Sequence, residues 1–122
     1  MSNLFRSGKT QTAYKERLKL LPPGHCVMCE RAPIQSFAHW KVIKNHFPYD
    51  LIAETHDMIV PLRHVVEAEL NDDEKAELLK IKSGHLDRYE YVVEAMNFRK
   101  SMPEHFHLHL IVAKSLPGAD PV

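Results

Sequence analysis

The sequence predicts an α+β domain with an antiparallel sheet of about five strands and two main helices, on three observations. Residues 105–111 alternate histidines with apolar residues, which is the period of a half-buried strand. Residues 56–61 are rich in β-branched and apolar side chains and predict a strand buried on both faces. Asn71 followed by Glu74 forms a capping box that predicts the start of a helix. Because strands cluster before and after that helix, antiparallel pairing is favoured.

The predicted elements follow one another in the order α-β-β-β-α-β-β. The first helix is predicted from Ala13 to Leu21, and Pro22-Pro23-Gly24 ends it. Cys26 and Cys29 follow in a turn. The remaining predictions are strands at 37–43, 51–55 and 56–61, a helix from 71 to about 89, strands at 91–96 and 105–111, and loops at 45–50 and 97–104.

Composition excludes several classes of protein. The chain has 122 residues with 44% hydrophobic content, which suits a single small domain. Its 16 basic and 16 acidic residues balance, so no duplex nucleic-acid partner is expected. No apolar run approaches the length of a membrane span, and the first residues lack a signal peptide's hydrophobic region. A cytoplasmic location without membrane association is therefore expected.

The histidine strand carries the strongest functional signal. Its alternation directs Phe106, Leu108 and Leu110 toward the core, in a row that continues to Val112, and places the three histidines on the opposite face. Such a row of imidazoles can bind metal, bind phosphate or attack an electrophile. The competing interpretation is a solvated strand face that happens to be rich in histidine. The histidines concerned are His105, His107 and His109.

Cys26 and Cys29 form a Cys-x-x-Cys pair that favours zinc over redox chemistry. The pair follows an apparent Pro-Pro-Gly loop, whereas a redox pair is expected at a strand-to-helix junction. Two thiolates supply half of a tetrahedral zinc site, so two more ligands must come from elsewhere in the chain. The residues alone leave the choice open among His25, His39, His46, His56, His64 and His105.

These motifs together resemble the histidine-triad (HIT) superfamily of nucleotide hydrolases and transferases. Residues 105–111 match the family's His-φ-His-φ-His-φ-φ signature, where φ is apolar. Residues 56–64 are similar to its His-x-φ-φ-φ-Pro-x-x-His segment, and residues 45–49 to the Asn-x-x-Pro-Tyr loop of one branch. The cysteine pair matches the zinc-containing members. The resemblance implies a HIT-like domain over residues 25–115, with an N-terminal helical extension at 1–24 and a short C-terminal tail at 116–122.

The resemblance also implies roles for the site residues. His64 and His105 would join Cys26 and Cys29 around a structural zinc ion. In the catalytic site, His107 would be the nucleophile, and His109 and His56 would lie at the substrate phosphates. Asn45 would bind the ribose hydroxyls.

A nucleotide substrate follows from the same resemblance. The implied reaction is cleavage of nucleoside 5′-phosphoramidates or dinucleoside polyphosphates at the α-phosphate through a covalent nucleotidyl-histidine. His109 stands where the uridylyltransferase branch has glutamine, which favours hydrolysis over transfer. Met102 stands where many relatives have serine, which keeps open a zinc-stabilised nucleotide-binding or interaction module with little catalysis. Homodimers are common among relatives, and no feature of this sequence argues for or against one.

Overall fold

The computed structural model describes residues 5–96 and 103–115, which form an open five-stranded antiparallel sheet with helices packed against it. Within these residues no helix has the length and apolar character that a bilayer crossing requires. The helices are α1 (Gly8–Lys19), α2 (Val27–Glu30) and α3 (Asp72–Gly84), with a short 3-10 turn at Glu67–Glu69. The strands are β1 (Gln35–Ser36), β2 (Trp40–Lys44), β3 (Ala53–Pro61), β4 (Tyr91–Val93) and β5 (Leu108–Ala113).

The strand order β1-β2-β3-β5-β4 places the histidine-bearing strand inside the sheet. In β5, His109 pairs with Met58 of β3 on one side and with Val93 of β4 on the other. All four pairings are antiparallel. His56 of β3 and His109 of β5 are therefore held on two adjacent inner strands of the sheet, where ladder hydrogen bonds on both sides fix the backbone.

One face of the sheet packs against α3 and forms the main core. Phe106, Leu108 and Leu110 all lie in this core, as their alternation predicts, and meet Trp40 of β2 and Ile81 of α3. Full burial of each such side chain stabilises the fold by about 1.5–3 kcal/mol. The alternate residues must then face the other side of the sheet, where the histidines lie.

The capping box of α3 is present as predicted. Asn71 Oδ1 accepts from the Glu74 backbone N–H at 2.8 Å, and Glu74 Oε1 accepts from the Asn71 N–H at 2.9 Å. The helix ends at Gly84 rather than near Tyr89. Glycine has low helix propensity, and Leu86, two residues further on, turns into the core instead of continuing the helical surface.

Several predicted boundaries are wrong for identifiable reasons. The strands predicted at 51–55 and 56–61 are one strand, β3, with a register shift between Ala53 and Thr55. The count of five strands is nevertheless correct because Gln35–Ser36 adds a short edge strand that the sequence did not predict. The histidine strand begins at Leu108, so the first two histidines precede it.

The N-terminal elements also differ from the prediction. Helix α1 begins at Gly8 rather than Ala13, because Ser7 caps it by accepting from the Thr10 N–H at 3.3 Å. The Cys-x-x-Cys pair lies on a one-turn helix rather than in a turn, with Cys26 as the N-cap residue of α2. Gly24 has φ +76°, a conformation that suits glycine, and turns the chain after the two prolines toward Cys26.

Candidate functional site

The second face of the sheet carries two neighbouring clusters of the residues singled out in the sequence. One cluster joins both cysteines to two histidines, and the other joins the remaining triad histidines to the start of β3. The first contains Cys26, Cys29, His64 and His105, and the second contains Asn45, His56, His107 and His109.

The four candidate metal ligands converge on one point. Their ligand atoms all lie within 4.8 Å of one another, so the group could hold a metal ion. Each histidine presents Nδ1: His105 Nδ1 lies 3.3 Å from Cys26 Sγ and 3.4 Å from Cys29 Sγ. His64 Nδ1 lies 3.4 Å from Cys29 Sγ and 3.2 Å from His105 Nδ1.

These spacings fit a tetrahedral ion. Ligands on zinc at ordinary bond lengths would be separated by about 3.3 Å for two nitrogens and about 3.6 Å for nitrogen and sulfur. His105 Nε2 donates to the Pro61 carbonyl at 3.1 Å, which leaves the Nδ1 lone pair directed at the cluster. Burial lowers the pKa of His105, which also keeps this imidazole neutral, as a metal ligand must be.

The Cys29 thiol is protonated in the metal-free protein. Burial and the neighbouring Cys26 sulfur raise the pKa of the Cys29 thiol to about 11. A thiolate is therefore disfavoured in the metal-free protein, and a bound divalent cation would displace the thiol proton. The cluster opens on a cleft of about 410 Å³ that is lined in part by Pro22, His25 and Glu30.

Helix α3 holds the segment that contributes His64. Arg63 Nη2 and Nε donate to the Glu74 carboxylate at 2.6 and 3.0 Å, and Arg63 also reaches the Glu69 carbonyl. Glu74 is only 1% exposed, and this pairing is combined with the capping box of the helix. The capping signal that the sequence predicts thus also anchors the residue beside a metal ligand.

A backbone carbonyl two residues earlier in the chain orients the ring of His107. Its Nδ1 donates to the carbonyl of His105 at 2.9 Å, since a carbonyl oxygen can only accept. In the neutral ring the lone pair is therefore on Nε2. The rings of His107 and His109 meet edge to face with centroids 5.1 Å apart. A neutral imidazole with a fixed tautomer is the form that can act as a nucleophile.

His56, His109 and Tyr49 form a directed hydrogen-bond chain. The Tyr49 backbone N–H donates to His56 Nδ1 at 2.9 Å, so the proton of the neutral His56 ring is on Nε2. His56 Nε2 then donates to His109 Nδ1 at 2.8 Å. His109 in turn carries its proton on Nε2, which donates to the Tyr49 hydroxyl oxygen at 3.1 Å. The chain fixes the tautomer of both histidines.

Electrostatics hold His56 in this neutral state. Burial, followed by the positive charge of Arg6 and the neighbouring His107, lowers the pKa of His56 to about 3. The backbone N–H of Tyr49 adds a geometric reason, because a protonated Nδ1 would face another donor. His56 is therefore a hydrogen-bond donor toward His109 throughout the neutral pH range.

Asn45 lies beside His56 at the end of β2. Its Oδ1 accepts from the Phe47 N–H at 2.8 Å, and its amide nitrogen lies 3.3 Å from His56 Nε2. Asn45 is 8% exposed. The side chain thus shapes the loop before β3, whatever it contacts in a substrate.

The structure adds two residues to the site that had no predicted role. Tyr49 belongs to the Asn-x-x-Pro-Tyr motif, and that position was the available signal for its contact with His109. Arg6 lies outside the predicted HIT-like domain, and no local pattern marks it. The predicted pre-triad loop, including Met102, lies largely outside the described residues, as does the tail at 116–122.

The other histidines belong to neither cluster. His85 is exposed at the end of α3, and His46 is exposed in the loop after β2. His25 precedes the cysteine pair but contacts Glu30, at 3.1 Å. His39 is half-buried, and its backbone N–H donates to Glu77.

Comparison with solved structures identifies the fold. A HIT family hydrolase from Legionella pneumophila aligns with a TM-score of 0.56 at 22% identity, covering 75% of this chain and 95% of that one. A HIT family hydrolase from Clostridium thermocellum gives a TM-score of 0.56 at 16% identity, covering 83% and 99%. A histidine triad protein from Clostridium difficile gives 0.53 at 15%, covering 82% and 100%.

These neighbours confirm the HIT-like fold that the motifs led us to expect. No protein-family profile and no curated protein sequence matches the chain. At such low identity the alignments establish the architecture. The chemistry must therefore be argued from the residues of this chain.

Proposed function

We propose that this protein is a histidine-triad nucleotide hydrolase. The observation that carries the proposal is the orientation of His107, whose Nδ1 is tied to a backbone carbonyl so that Nε2 bears the lone pair. His109 and His56 stand beside it in fixed tautomers. The architecture shared with HIT family hydrolases supports the same assignment.

The proposed reaction is a double displacement at the α-phosphorus of a nucleoside 5′-phosphoramidate or dinucleoside polyphosphate. His107 Nε2 forms a bond to phosphorus while the bond to the leaving amine or phosphate breaks, and the leaving group takes up a proton. Water then attacks the phosphorus of the nucleotidyl-histidine, its proton is lost, and Nε2 departs with its electron pair. Since phosphoryl transfer depends on positioned donors, His109 and His56 are proposed to lie at the substrate phosphates, where the Nε2–H of His109 turns from the Tyr49 hydroxyl to a phosphoryl oxygen when substrate binds.

Asn45 is proposed to contact the ribose hydroxyls. Its Oδ1 accepts one hydrogen bond from Phe47, and an amide oxygen can accept two. An Asn45→Ala variant tests this role by comparing turnover of a ribonucleotide substrate with that of its 2′-deoxy analogue. A ribose contact predicts that the wild type prefers the ribonucleotide and that the variant loses this preference. Equal preference in the two proteins would contradict it.

Zinc is the metal we propose for the Cys26, Cys29, His64 and His105 cluster. Two thiolates with two imidazoles are a donor set that suits zinc, and four protein ligands leave no position for a substrate. The ion would then be structural. It would link α2 to two distant segments, the one after β3 and the one before β5.

Turnover tests the proposal. The substrates are adenosine 5′-phosphoramidate and a diadenosine polyphosphate, and the proteins are the wild type, His107→Gln and the exposed-site control His85→Gln. We expect wild-type and control turnover, none in His107→Gln, and a nucleotidyl adduct on His107 after denaturation at alkaline pH, where a phosphorus–nitrogen bond survives. Turnover that persists in a folded His107→Gln would contradict the covalent mechanism.

We name the first cluster (Cys26, Cys29, His64 and His105) the metal cluster and the second (Asn45, His56, His107 and His109) the catalytic cluster. A zinc-stabilised nucleotide-binding module is the second candidate, because the metal cluster is complete without the catalytic cluster. It predicts nucleotide binding, measurable by calorimetry, in a folded and metal-loaded protein that turns over neither substrate. That outcome would replace the hydrolase proposal.

A further inference from the structure

The N-terminal segment returns to the catalytic cluster. The Phe5 carbonyl accepts from the Leu51 N–H at 2.9 Å. The Asp50 carboxylate accepts from the Ser7 N–H and hydroxyl, both at 2.7 Å, and from the Thr10 hydroxyl at 2.5 Å. The start of α1 is therefore tied to the loop that leads into β3.

Arg6 projects from this segment into the protein. It is 8% exposed, and its Nε donates to the Phe47 carbonyl at 2.7 Å. Its guanidinium carbon lies 4.3 Å from the centroid of the Tyr14 ring and 5.0 Å from that of Tyr49. Among the described residues no carboxylate forms an ion pair with it. Arg6 Nη1 also donates to Gln11 Oε1 at 3.4 Å. A buried cation is thus held by two aromatic faces, a carbonyl and an amide oxygen.

Tyr49 connects Arg6 to both histidines of the hydrogen-bond chain. Its ring centroid lies 4.5 Å from that of His56 and 4.8 Å from that of His109. Its hydroxyl accepts from His109, and its backbone N–H donates to His56. The position of Tyr49 therefore sets both the acceptor for His109 and the donor to His56.

We propose that Arg6 is a positioning residue that acts through Tyr49 to hold His56 and His109 in their tautomers. The guanidinium fixes the Tyr49 ring by stacking and fixes the loop by its bond to Phe47. Its charge also disfavours a second positive charge nearby, and with burial it lowers the pKa of His56. The consequence for turnover rests on the proposed hydrolase function, whereas the consequence for the tautomers does not.

The alternative is that Arg6 only clamps α1 to the domain. A clamp would change the melting temperature but not the imidazole tautomers or kcat below the melting transition. The tested variants are Arg6→Met, which keeps the aliphatic stem without the charge, and Tyr49→Phe, which keeps the ring without the hydroxyl. Arg88→Met is the matched control, because Arg88 also stacks on a tyrosine, Tyr89 at 4.6 Å, on the other side of the sheet from the histidines.

The experiment records long-range proton–nitrogen spectra of the imidazoles at one near-neutral pH, together with kcat and KM for the phosphoramidate. We expect the wild type and Arg88→Met to show His56 and His109 each as a single tautomer protonated on Nε2. In Arg6→Met, which frees the loop that carries the Tyr49 N–H, we expect mixed tautomers for His56 and His109 and a kcat reduced roughly tenfold to a hundredfold with little change in KM. Tyr49→Phe keeps that backbone N–H, so both tautomers should be retained. The double variant should be no worse than the worse single variant.

Wild-type imidazole spectra in a folded Arg6→Met would overturn the proposal, even if its melting temperature falls. Multiplying effects in the double variant would also overturn it, because Arg6 would then not act through Tyr49. If Arg6→Met does not fold, Arg6→Lys decides, because it keeps the charge but loses the planar group that stacks on Tyr49: wild-type tautomers of His56 and His109 overturn the proposal and mixed ones support it. A wild type without turnover would refute the hydrolase proposal, while the spectra would still decide this one.

Discussion

His105 and His107 are two residues apart, yet they present opposite nitrogens to their surroundings. His105 donates from Nε2 to the Pro61 carbonyl and turns its Nδ1 lone pair toward two cysteines. His107 donates from Nδ1 to the carbonyl of His105 and keeps its lone pair on Nε2. The difference shows that a backbone carbonyl, rather than the residue type, decides which nitrogen each imidazole presents, and it underlies the separate metal and catalytic roles that we propose.

The two clusters also differ in what holds them. The ligands of the metal cluster come from three separated segments of the chain. The negative charge of their thiolates would be balanced by the ion that they bind. The catalytic cluster needs no ion, because a backbone N–H, two imidazoles and a hydroxyl complete one chain of donors and acceptors. Loss of a metal ligand should therefore destabilise the domain, and loss of a histidine of the catalytic cluster should change its stability little at neutral pH.

The largest expected effects come from substituting His105 and His107 one at a time, because the two substitutions should change different properties. His107→Gln should lower kcat by at least about a thousandfold with little change in metal content or melting temperature. His105→Gln should release the metal and lower the melting temperature. Metal analysis, thermal unfolding and kinetics on both variants provide the check. Identical behaviour of the two variants would remove the distinction between the clusters.

Metal removal should destabilise the whole domain. A strong chelator, or Cys29→Ser, should remove several of the roughly 5–15 kcal/mol that hold a small domain folded. The matched control is His25→Gln, since His25 lies next to Cys26 but contacts Glu30 instead. We expect about one zinc per chain in the wild type and the control. Wild-type stability after complete metal loss would contradict a structural ion.

The pH dependence of stability should report the neutral His56. Its folded-state pKa is about 3, well below the usual value of about 6.5. Between these values the unfolded chain binds a proton that the folded chain does not, so stability rises with pH and is lost as pH falls from 6.5 toward 3. The loss should reach up to about 4 kcal/mol.

Urea unfolding of the wild type and His56→Gln over this range tests that expectation. Both proteins retain the metal cluster, so acid release of the ion lowers the free energy of unfolding equally in the two. The difference between their curves of unfolding free energy against pH therefore reports His56 alone. We expect a shallower pH dependence in the variant. Parallel curves would show that His56 does not carry the effect.

The smallest expected effect concerns the attachment of α1. Burial alone would raise the pKa of Asp50, but hydrogen bonds from Thr10 and Ser7 lower it to about 2. Asp50→Asn removes a charged acceptor and should cost about 1–3 kcal/mol, with the metal content unchanged. The exposed Asp87→Asn is the control. An equal effect of both substitutions on denaturant unfolding would contradict the docking of the helix.

Local periodicity and capping predicted the central strands and the start of the long helix. The alternation at Phe106, Leu108 and Leu110 placed the core face correctly, and Asn71 with Glu74 placed the start of α3. These signals depend on neighbours in the chain, so the sequence contains them directly. The resemblance then selected the four metal-cluster residues, which the structure brings together.

Contacts between distant segments escaped prediction. Arg6 meets Phe47 across 41 positions, and Tyr49 meets His109 across 60. No periodic pattern links such positions, because their proximity exists only once distant segments of the chain have packed together. The strand break predicted at His56 was wrong for a related reason, since β3 absorbs its irregularity as a register shift against β5.

The most direct test of the opposed histidines is a long-range proton–nitrogen spectrum of the protein loaded with ¹¹³Cd in place of zinc. We predict that His105 couples to the metal through Nδ1 and carries its proton on Nε2, whereas His107 shows no metal coupling and carries its proton on Nδ1. The same protonated nitrogen in both rings, or coupling of the metal to His107, would contradict the account.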